Sequence, residues 1–318
     1  MGMDTNTTTK GDSMSLFGAD LFGDEIKQDG SGLLCKNFIV PPFSTLDSKQ
    51  GYWQDRKRAW KSLGIKSEVG RDAGMTYNTH SMEEGGFDEA DNTSIFDPVL
   101  CEIAYKWFCP LGGNVVDPFA GGSVRGVVAS FLGYNYWGCD LRDEQIQANI
   151  VQGEKIASKN TAQWVCGDAM EVLSEAPDAD FIFSCPPYGD LERYSDDPKD
   201  LSTMDYHAFI GAYKRIILRA YNKLKNDRFA CFVVGDFRAK DGNYRNFPAD
   251  TIGAFKAVGF HLYNEGILLT SIATASLRAS GQFNASRKLC KTHQNVLVFV
   301  KGNAKKATAA INNNTYEN

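Results

Sequence analysis

Two adjacent prolines, Pro186 and Pro187, constrain this chain more than any other feature. They close the apolar run Asp180-Phe181-Ile182-Phe183-Ser184, which reads as a buried strand. Neither proline can donate a ladder hydrogen bond, and both have fixed φ, so the strand must stop there in a stiff corner. Three more apolar runs stop abruptly, in an acid or a glycine. Asn114-Val115-Val116 runs into Asp117, Tyr134 to Cys139 into Asp140, and Gln163 to Cys166 into Gly167-Asp168. Amphipathic segments of helical period separate them. That alternation predicts a parallel sheet with helices on both faces. Open sheets of this kind place ligands at the carboxyl ends of their strands.

The rest of the chain extends the pattern. Asp97 is suited to cap, and Pro98 to begin, a helix whose Leu100, Ile103, Ala104 and Trp107 share one face. After the prolines comes a polar stretch, residues 189–203, read as a loop over the strand ends. A long helix from Tyr206 to Leu224 follows, then a strand from Phe229 to Val234, a helix from Pro248 to Val258, and strands from Phe260 to Leu269 and from Val296 to Val300. Residues 1–32 are polar and read as a disordered arm, residues 72–93 as a linker, and 303–318 as a disordered tail. Residues 33–93 thus form an N-terminal extension to a main domain over 94–302.

Composition narrows the function classes. The 318 residues are 43% hydrophobic and 12% aromatic, enough for a substantial core. No apolar run approaches the ~20 residues of a membrane span. With no leader-like apolar segment at the N-terminus, a cytoplasmic location is expected. The eight cysteines include no CxxC pair, so neither a zinc site nor a disulfide framework is expected.

The net charge of −5 argues against a surface that is basic throughout, yet two regions are locally cationic. Between Gly51 and Arg71 there are six Lys/Arg against Asp55 and Glu68, with Arg56, Lys57 and Arg58 in a row. A helix here is expected to bury Trp53, Trp60 and Leu63 and to show its cations on the opposite face. Residues 267–306 carry seven Lys/Arg and no acid, including Arg278, Arg287 and Lys288. Both suit phosphate contacts, and both also suit an ordinary solvated face. Residues 270–295 are the candidate recognition segment.

The strand ends describe a nucleoside pocket. The turn after Val116 lets backbone approach a ligand, but it is neither a P-loop nor GxGxxG. Asp140 is placed to accept two ribose hydroxyls and Asp168 to accept from an adenine amine. Either acid alone is equally compatible with capping the next helix. Beside them, the Cys185 and Pro186 carbonyls and the Tyr188 ring offer acceptors and an aromatic face to a planar amine-bearing ring.

The series Asp117-Pro118-Phe119-Ala120-Gly121-Gly122, Asp140, Asp168, Ser184-Cys185-Pro186-Pro187-Tyr188 and His293-Gln294-Asn295-Val296 resembles that of S-adenosylmethionine-dependent DNA amino-methyltransferases, adenine-N6 or cytosine-N4 in type. The block Trp53-Gln54-Asp55-Arg56-Lys57-Arg58 is similar to the extension of phage-encoded members.

The resemblance implies a Rossmann-like, seven-stranded class I methyltransferase sheet in a permuted order. It also implies S-adenosylmethionine as cofactor, double-stranded DNA as partner, and a part in DNA methylation of the restriction-modification kind, with no metal and no membrane. Phe96, Asp117, Pro118, Phe119, Ala120 and Gly121 would line the methionine side of the cofactor, and Asp140, Leu141, Asp168 and Ala169 the nucleoside. Residues 184–188 would be catalytic. The chain departs from the family pattern at two places: Gly122-Ser123-Val124-Arg125 stands for a Gly-Thr-Thr run, and Cys185 for Asp, Asn or Ser. An RNA amino-methyltransferase and a non-catalytic nucleic-acid-binding protein on the same scaffold are the alternatives.

Overall fold

The computed structural model describes residues 32–65, 96–157, 159, 161–189, 198–270 and 275–312. In chain order the elements are α1 (Gly32–Phe38), β1 (Thr45–Asp47), α2 (Gly51–Ser62), α3 (Pro98–Phe108), β2 (Asn114–Asp117) and α4 (Val124–Phe131). Then come β3 (Asn135–Asp140), α5 (Asp143–Ile156), β4 (Ala162–Cys166), α6 (Ala169–Val172), β5 (Ala179–Ser184) and α7 (Tyr206–Lys223). The chain finishes with β6 (Leu224–Val234), α8 (Phe247–Val258), β7 (His261–Leu269), α9 (Ala275–Ser286), β8 (His293–Lys301) and α10 (Ala304–Asn312). The expected arm up to residue 31, the whole of the 72–93 linker and residues 190–197 of the 189–203 loop lie outside the described residues.

The strands form one sheet in the order β1-β7-β8-β6-β5-β2-β3-β4. Every neighbouring pair is parallel except those made by β8, which runs antiparallel to both β6 and β7. The seven strands from β7 to β4 match the seven-stranded, two-sided Rossmann-like sheet expected from the sequence, and β1 adds an eighth. Alternation of side chains splits the core in two. Val115, Phe181, Phe183, Cys231 and Val298 join one apolar cluster, with residues of α2, α3, α4 and α10. Val116, Ile182, Phe232, Leu297 and Phe299 join the other, with α7 and α8. No helix among the described residues is long and apolar enough to cross a membrane.

The N-terminal extension is built into this core. Ile39, Val40, Leu46, Trp53, Trp60 and Ile65 belong to the first cluster, and β1 pairs in parallel with β7, Thr45 opposite Ile267. The cations of α2 therefore do not lie where the sequence suggested. Residues 53, 56, 57 and 60 follow the i, i+3, i+4, i+7 spacing of a single helix face, so Arg56 and Lys57 descend with the tryptophans onto α3. There Arg56 makes a two-pronged ion pair with Glu102, Nε and one terminal nitrogen each 2.5 Å from a carboxylate oxygen. Trp60 Nε1 donates to the same carboxylate at 3.1 Å, and Lys106 lies 3.5 Å away. Lys57 Nζ and Trp53 Nε1 both reach Asp97, at 3.0 and 3.2 Å, while Asp97 also caps α3 through Val99 N. Arg58 is exposed and pairs with Asp55 on its own helix. Arg56 and Lys57 are thus structural, which corrects their assignment as DNA contacts.

The C-terminal expectation also needs correction. Residues 304–312 form a helix instead of continuing a disordered tail, because Ala307 buries against the first cluster. The strands are longer than their apolar runs: β6 begins at Leu224 and β8 at His293.

Glu102 sits in a helix buried on nearly every side. Burial alone raises the pKa of its carboxyl, but the Arg56 and Lys106 charges and the Trp60 bond outweigh it and hold the group below its ordinary range. A depressed folded-state pKa stabilises the fold above the unfolded value, near ~4.3, and the contribution fades as pH falls through the folded value. Glu102→Ala should cost about 3–5 kcal/mol, and Glu102→Gln should flatten the acid limb of a stability-versus-pH curve measured by urea unfolding.

Candidate active site

The site begins with Asp117, the last residue of β2, whose side chain is wholly buried. Its Oδ1 accepts from Ser184 Oγ at 2.5 Å and from Phe119 N at 3.1 Å. Its Oδ2 accepts from Arg125 Nε at 2.6 Å and from Tyr136 Oη at 2.7 Å. Four donors from four segments converge on one carboxylate. Arg125, also buried, spends a terminal nitrogen on the carbonyls of Phe119 and Ala120, at 2.5 and 2.9 Å. Its guanidinium lies 4.6 Å over the Phe96 ring. Burial opposes the charge on Arg125, yet the Asp117 carboxylate beside it keeps the group firmly protonated. The expectation that Asp117 faces a ligand is therefore corrected, because its carboxylate is wholly buried and is taken up by donors from the turn, α4, β3 and β5. Arg125 is the physical answer to the departure from Gly-Thr-Thr, since it bolts that turn from below.

The turn climbs to Gly121, at φ +50° with open space where a Cβ would project. Gly121 N donates to Asp140 Oδ2 at 3.1 Å and Arg142 N to Asp140 Oδ1 at 3.0 Å. Asn149, buried on α5, donates to Gly121 O at 2.7 Å, and Ser123 Oγ donates to Gln152 at 2.6 Å. The turn is thus anchored on three sides. Asp140 is part-buried, and that burial pushes its carboxyl up despite the two backbone donors. One strand over, Asp168 accepts from Met170 N at 2.8 Å and caps α6, next to the buried Ala169. Asp140 and Cys166 are register partners in β3 and β4, so Asp168, two residues beyond Cys166, leaves the sheet next to Asp140 and to Leu141, which follows it in the chain.

The diproline corner lies beyond β5, at the same end of the sheet. Ser184, expected to assist catalysis, donates its hydroxyl to Asp117 and is wholly buried, which seals it away from the open face of the corner. Cys185 is half-buried, its Sγ 3.9 Å from Tyr188 Oη. Pro186 is buried and Pro187 half-buried. Gly189 lets the chain leave at φ +55°, where a Cβ would meet Phe237 at 3.2 Å.

Tyr188 is held at both ends. Its hydroxyl accepts from Gln294 Nε2 at 2.8 Å, and its ring packs against Phe237 and Phe247, with centroids 6.3 Å away in each case. These partners carried no local signal: Gln294 is 106 residues away in the chain and arrives only because β8 runs antiparallel to β6. Asp236, Lys291 and His293 reach the same neighbourhood. Lys291 Nζ lies 3.1 Å from His293 Nε2, and burial lowers both pKa values. Among the described residues, no cluster of three or more His, Cys, Asp or Glu side chains is arranged to hold a metal ion.

Of the remaining cationic candidates, Arg287 is exposed, with its guanidinium 5.2 Å over the Phe283 ring. Lys288 is half-buried, with its amine against Gly242. Arg278 falls on α9.

No protein-family profile matches the chain. The tRNA (guanine(10)-N2)-dimethyltransferase of Pyrococcus abyssi is 28% identical over 148 residues, which are 46% of this chain and 39% of that protein. The chain thus matches about two-fifths of that relative's length. Among solved structures, TrmN of Thermus thermophilus aligns with a TM-score of 0.45 at 16% identity, over 65% of this chain and 49% of the other. A second Thermus thermophilus protein, provisionally assigned as a DNA modification methylase, aligns with a TM-score of 0.33 at 21% identity, over 43% and 51%. Magnesium protoporphyrin IX methyltransferase of Synechocystis PCC 6803, with SAM bound, aligns with a TM-score of 0.39 at 12% identity, over 61% and 71%.

The network makes graded predictions. Asp117→Asn should destabilise by about 3–5 kcal/mol because it leaves the Arg125 charge buried without its counter-ion. Ser184→Ala should cost less, about 1.5–3 kcal/mol, the range for a hydrogen bond to a charged group. Arg125→Lys should not restore Arg125→Met, since an ammonium cannot span a carboxylate and two carbonyls. Urea midpoints at constant m-value would test all three.

Proposed function

We propose that the chain is an S-adenosylmethionine-dependent methyltransferase that modifies an exocyclic amine, cytosine N4 or adenine N6, of a base extruded from duplex DNA. The observation that carries this reading is the shared location of two unlike features. The open Gly121 turn with Asp140 and Asp168 stands at one set of strand ends, and the rigid corner of Cys185, Pro186 and Tyr188 stands at the adjacent one.

The residues present fit the cofactor. At Gly121 the φ of +50° and the empty Cβ direction leave room for close backbone approach. The part-buried Asp140 suits a ribose diol, and Asp168 and Ala169 suit an adenine. Phe96, Pro118, Phe119 and Ala120 would flank the methionine side, with Asp117 supporting them from beneath. When bound, the cofactor supplies an electrophilic methyl group whose S–C electron pair returns to sulfur on transfer.

The chain's own residues do the rest. An exocyclic amine is a poor nucleophile because its lone pair is delocalised into the ring. Fixed acceptors on its N–H groups favour a pyramidal nitrogen and draw off charge as the N–C bond forms. The Pro186 carbonyl is one acceptor, held by a corner that cannot relax. With Ser184 occupied by Asp117, the second falls to the Cys185 side chain, a weaker acceptor than the usual carboxylate or amide. Tyr188, tethered by Gln294 and wedged between two phenylalanines, gives the extruded base a stacking face. One amine proton leaves to water. No covalent intermediate is required.

RNA is the second reading, favoured by the name of the curated relative, which acts on a guanine amine of tRNA. Transfer of tritiated methyl to duplex DNA against total RNA separates the two. Cofactor binding without transfer to either would instead favour a non-catalytic binding protein. On the proposed reading, Tyr188→Ala should lower kcat at least a hundredfold while cofactor affinity stays within about twofold, since stacking and positioning serve the acceptor alone. Asp140→Ala should weaken cofactor binding on the order of tenfold or more by titration calorimetry, through loss of charge-assisted bonds to the ribose.

A further inference from the structure

Between β6 and α8 the chain makes a small hairpin that the reading above does not use. Arg238 and Tyr244 form an antiparallel bridge. Arg245 N donates to Phe237 O at 2.9 Å, Ala239 N to Asn243 O at 2.8 Å, and Gly242 N to Ala239 O at 2.8 Å. Gly242, at φ +89°, permits the tip.

The base of the hairpin is clamped. Asp236 Oδ1 accepts from Phe237 N at 3.0 Å and Phe247 N at 3.1 Å, and those two phenylalanines are the ones that hold the Tyr188 ring. The hairpin is therefore rigidly joined to the acceptor corner.

Its outward chemistry is distinctive. Arg238 donates to Gly242 O at 2.9 Å and stacks 3.9 Å over the Tyr244 ring, which is still 44% exposed. Lys240 is exposed at the tip, and the Lys288 amine lies against Gly242, where a Cβ would come within 2.8 Å of it. This last contact joins the hairpin to residues 279–292, which contain three cations and no acid. With Arg238, Lys240 and Arg245 these make six cations against Asp236 and Asp241, a local +4 in a chain whose net charge is −5. Asp241 is exposed and accepts from Asn243 N and Nδ2.

We infer that this hairpin, residues 237–245, with the connection from α9 to β8, grips the nucleic-acid strand flanking the acceptor base, Lys240 on a phosphate and Tyr244 against a neighbouring base. The inference rests on the proposed reading of the adjacent corner. Cations next to an exposed aromatic are the combination that holds an unstacked strand, charge following the backbone and the ring taking a base face. A plain cover over Arg238 would account for Tyr244 but not for the cations gathered at its tip.

The test measures binding of the full chain to a duplex DNA oligonucleotide and to an RNA of the same sequence across a series of salt concentrations. Lys240→Ala should reduce the slope of log K against log salt by about 1. Tyr244→Ala should weaken binding on the order of tenfold with the slope unchanged, and Tyr244→Phe should restore it. Melting temperature and cofactor affinity should match the parent in each variant. Unchanged slopes with full binding by Tyr244→Ala would overturn the inference, as would a parent that binds neither nucleic acid. A parent that binds with these dependences yet transfers no methyl group would keep the rim and remove the chemistry. A parent that methylates while every variant binds like it would do the reverse. The DNA and RNA arms show which strand the rim prefers.

Discussion

Opposite charges can share a dry interior only when every remaining donor and acceptor around them is also satisfied, and the Asp117–Arg125 pair meets that condition. Asp117 is where β2 stops, Arg125 lies in the first helix after the turn, Tyr136 comes from β3 and Ser184 from β5. One buried carboxylate thereby ties together three strands and the Gly-rich turn. The open Gly121, the Asp140 carboxylate and the diproline corner inherit their geometry from it. A shallow turn on a flexible base would have to be ordered by its ligand at entropic cost, and this one is ordered beforehand.

A similar device secures the other side of the molecule. Glu102 is an acid inside a helix that is otherwise apolar, and α2 reaches it with Arg56 and Trp60. The extension is consequently part of the core. Its energetic value comes from two fully buried tryptophans, each worth about 2–3 kcal/mol on transfer from water, while the ion pairs satisfy groups that burial would otherwise leave exposed to a low dielectric. Arg56 and Lys57 of α2 thus serve the fold, and the cations next to the acceptor corner come from the connection between α9 and β8 and from the hairpin beyond β6.

Several features were legible in the linear chain because their causes are local. Pro186 and Pro187 end a strand wherever they occur, Asp97-Pro98 begins a helix by capping and fixed φ, and alternating apolar runs separated by amphipathic segments demand a two-sided sheet. Even the inward turn of Arg56 and Lys57 was written in the spacing 53, 56, 57, 60, although charge suggested the opposite face. The conflict resolves once Glu102 is noticed, because an acid in an apolar helix requires a counter-charge from elsewhere.

What the sequence settled by itself, then, is where elements start and stop and which end of the sheet gathers acids, glycines and the diproline corner, since capping, proline geometry and periodicity act over a few residues. Which side chains meet was decided by tertiary structure alone. Ser184 and Tyr188 are four positions apart, yet one is sealed against Asp117 and the other opens toward Gln294 of β8. Strand pairing across the sheet, and the dense packing that forces each buried polar atom to find a partner, assign those contacts, and neither is visible until distant segments are brought together.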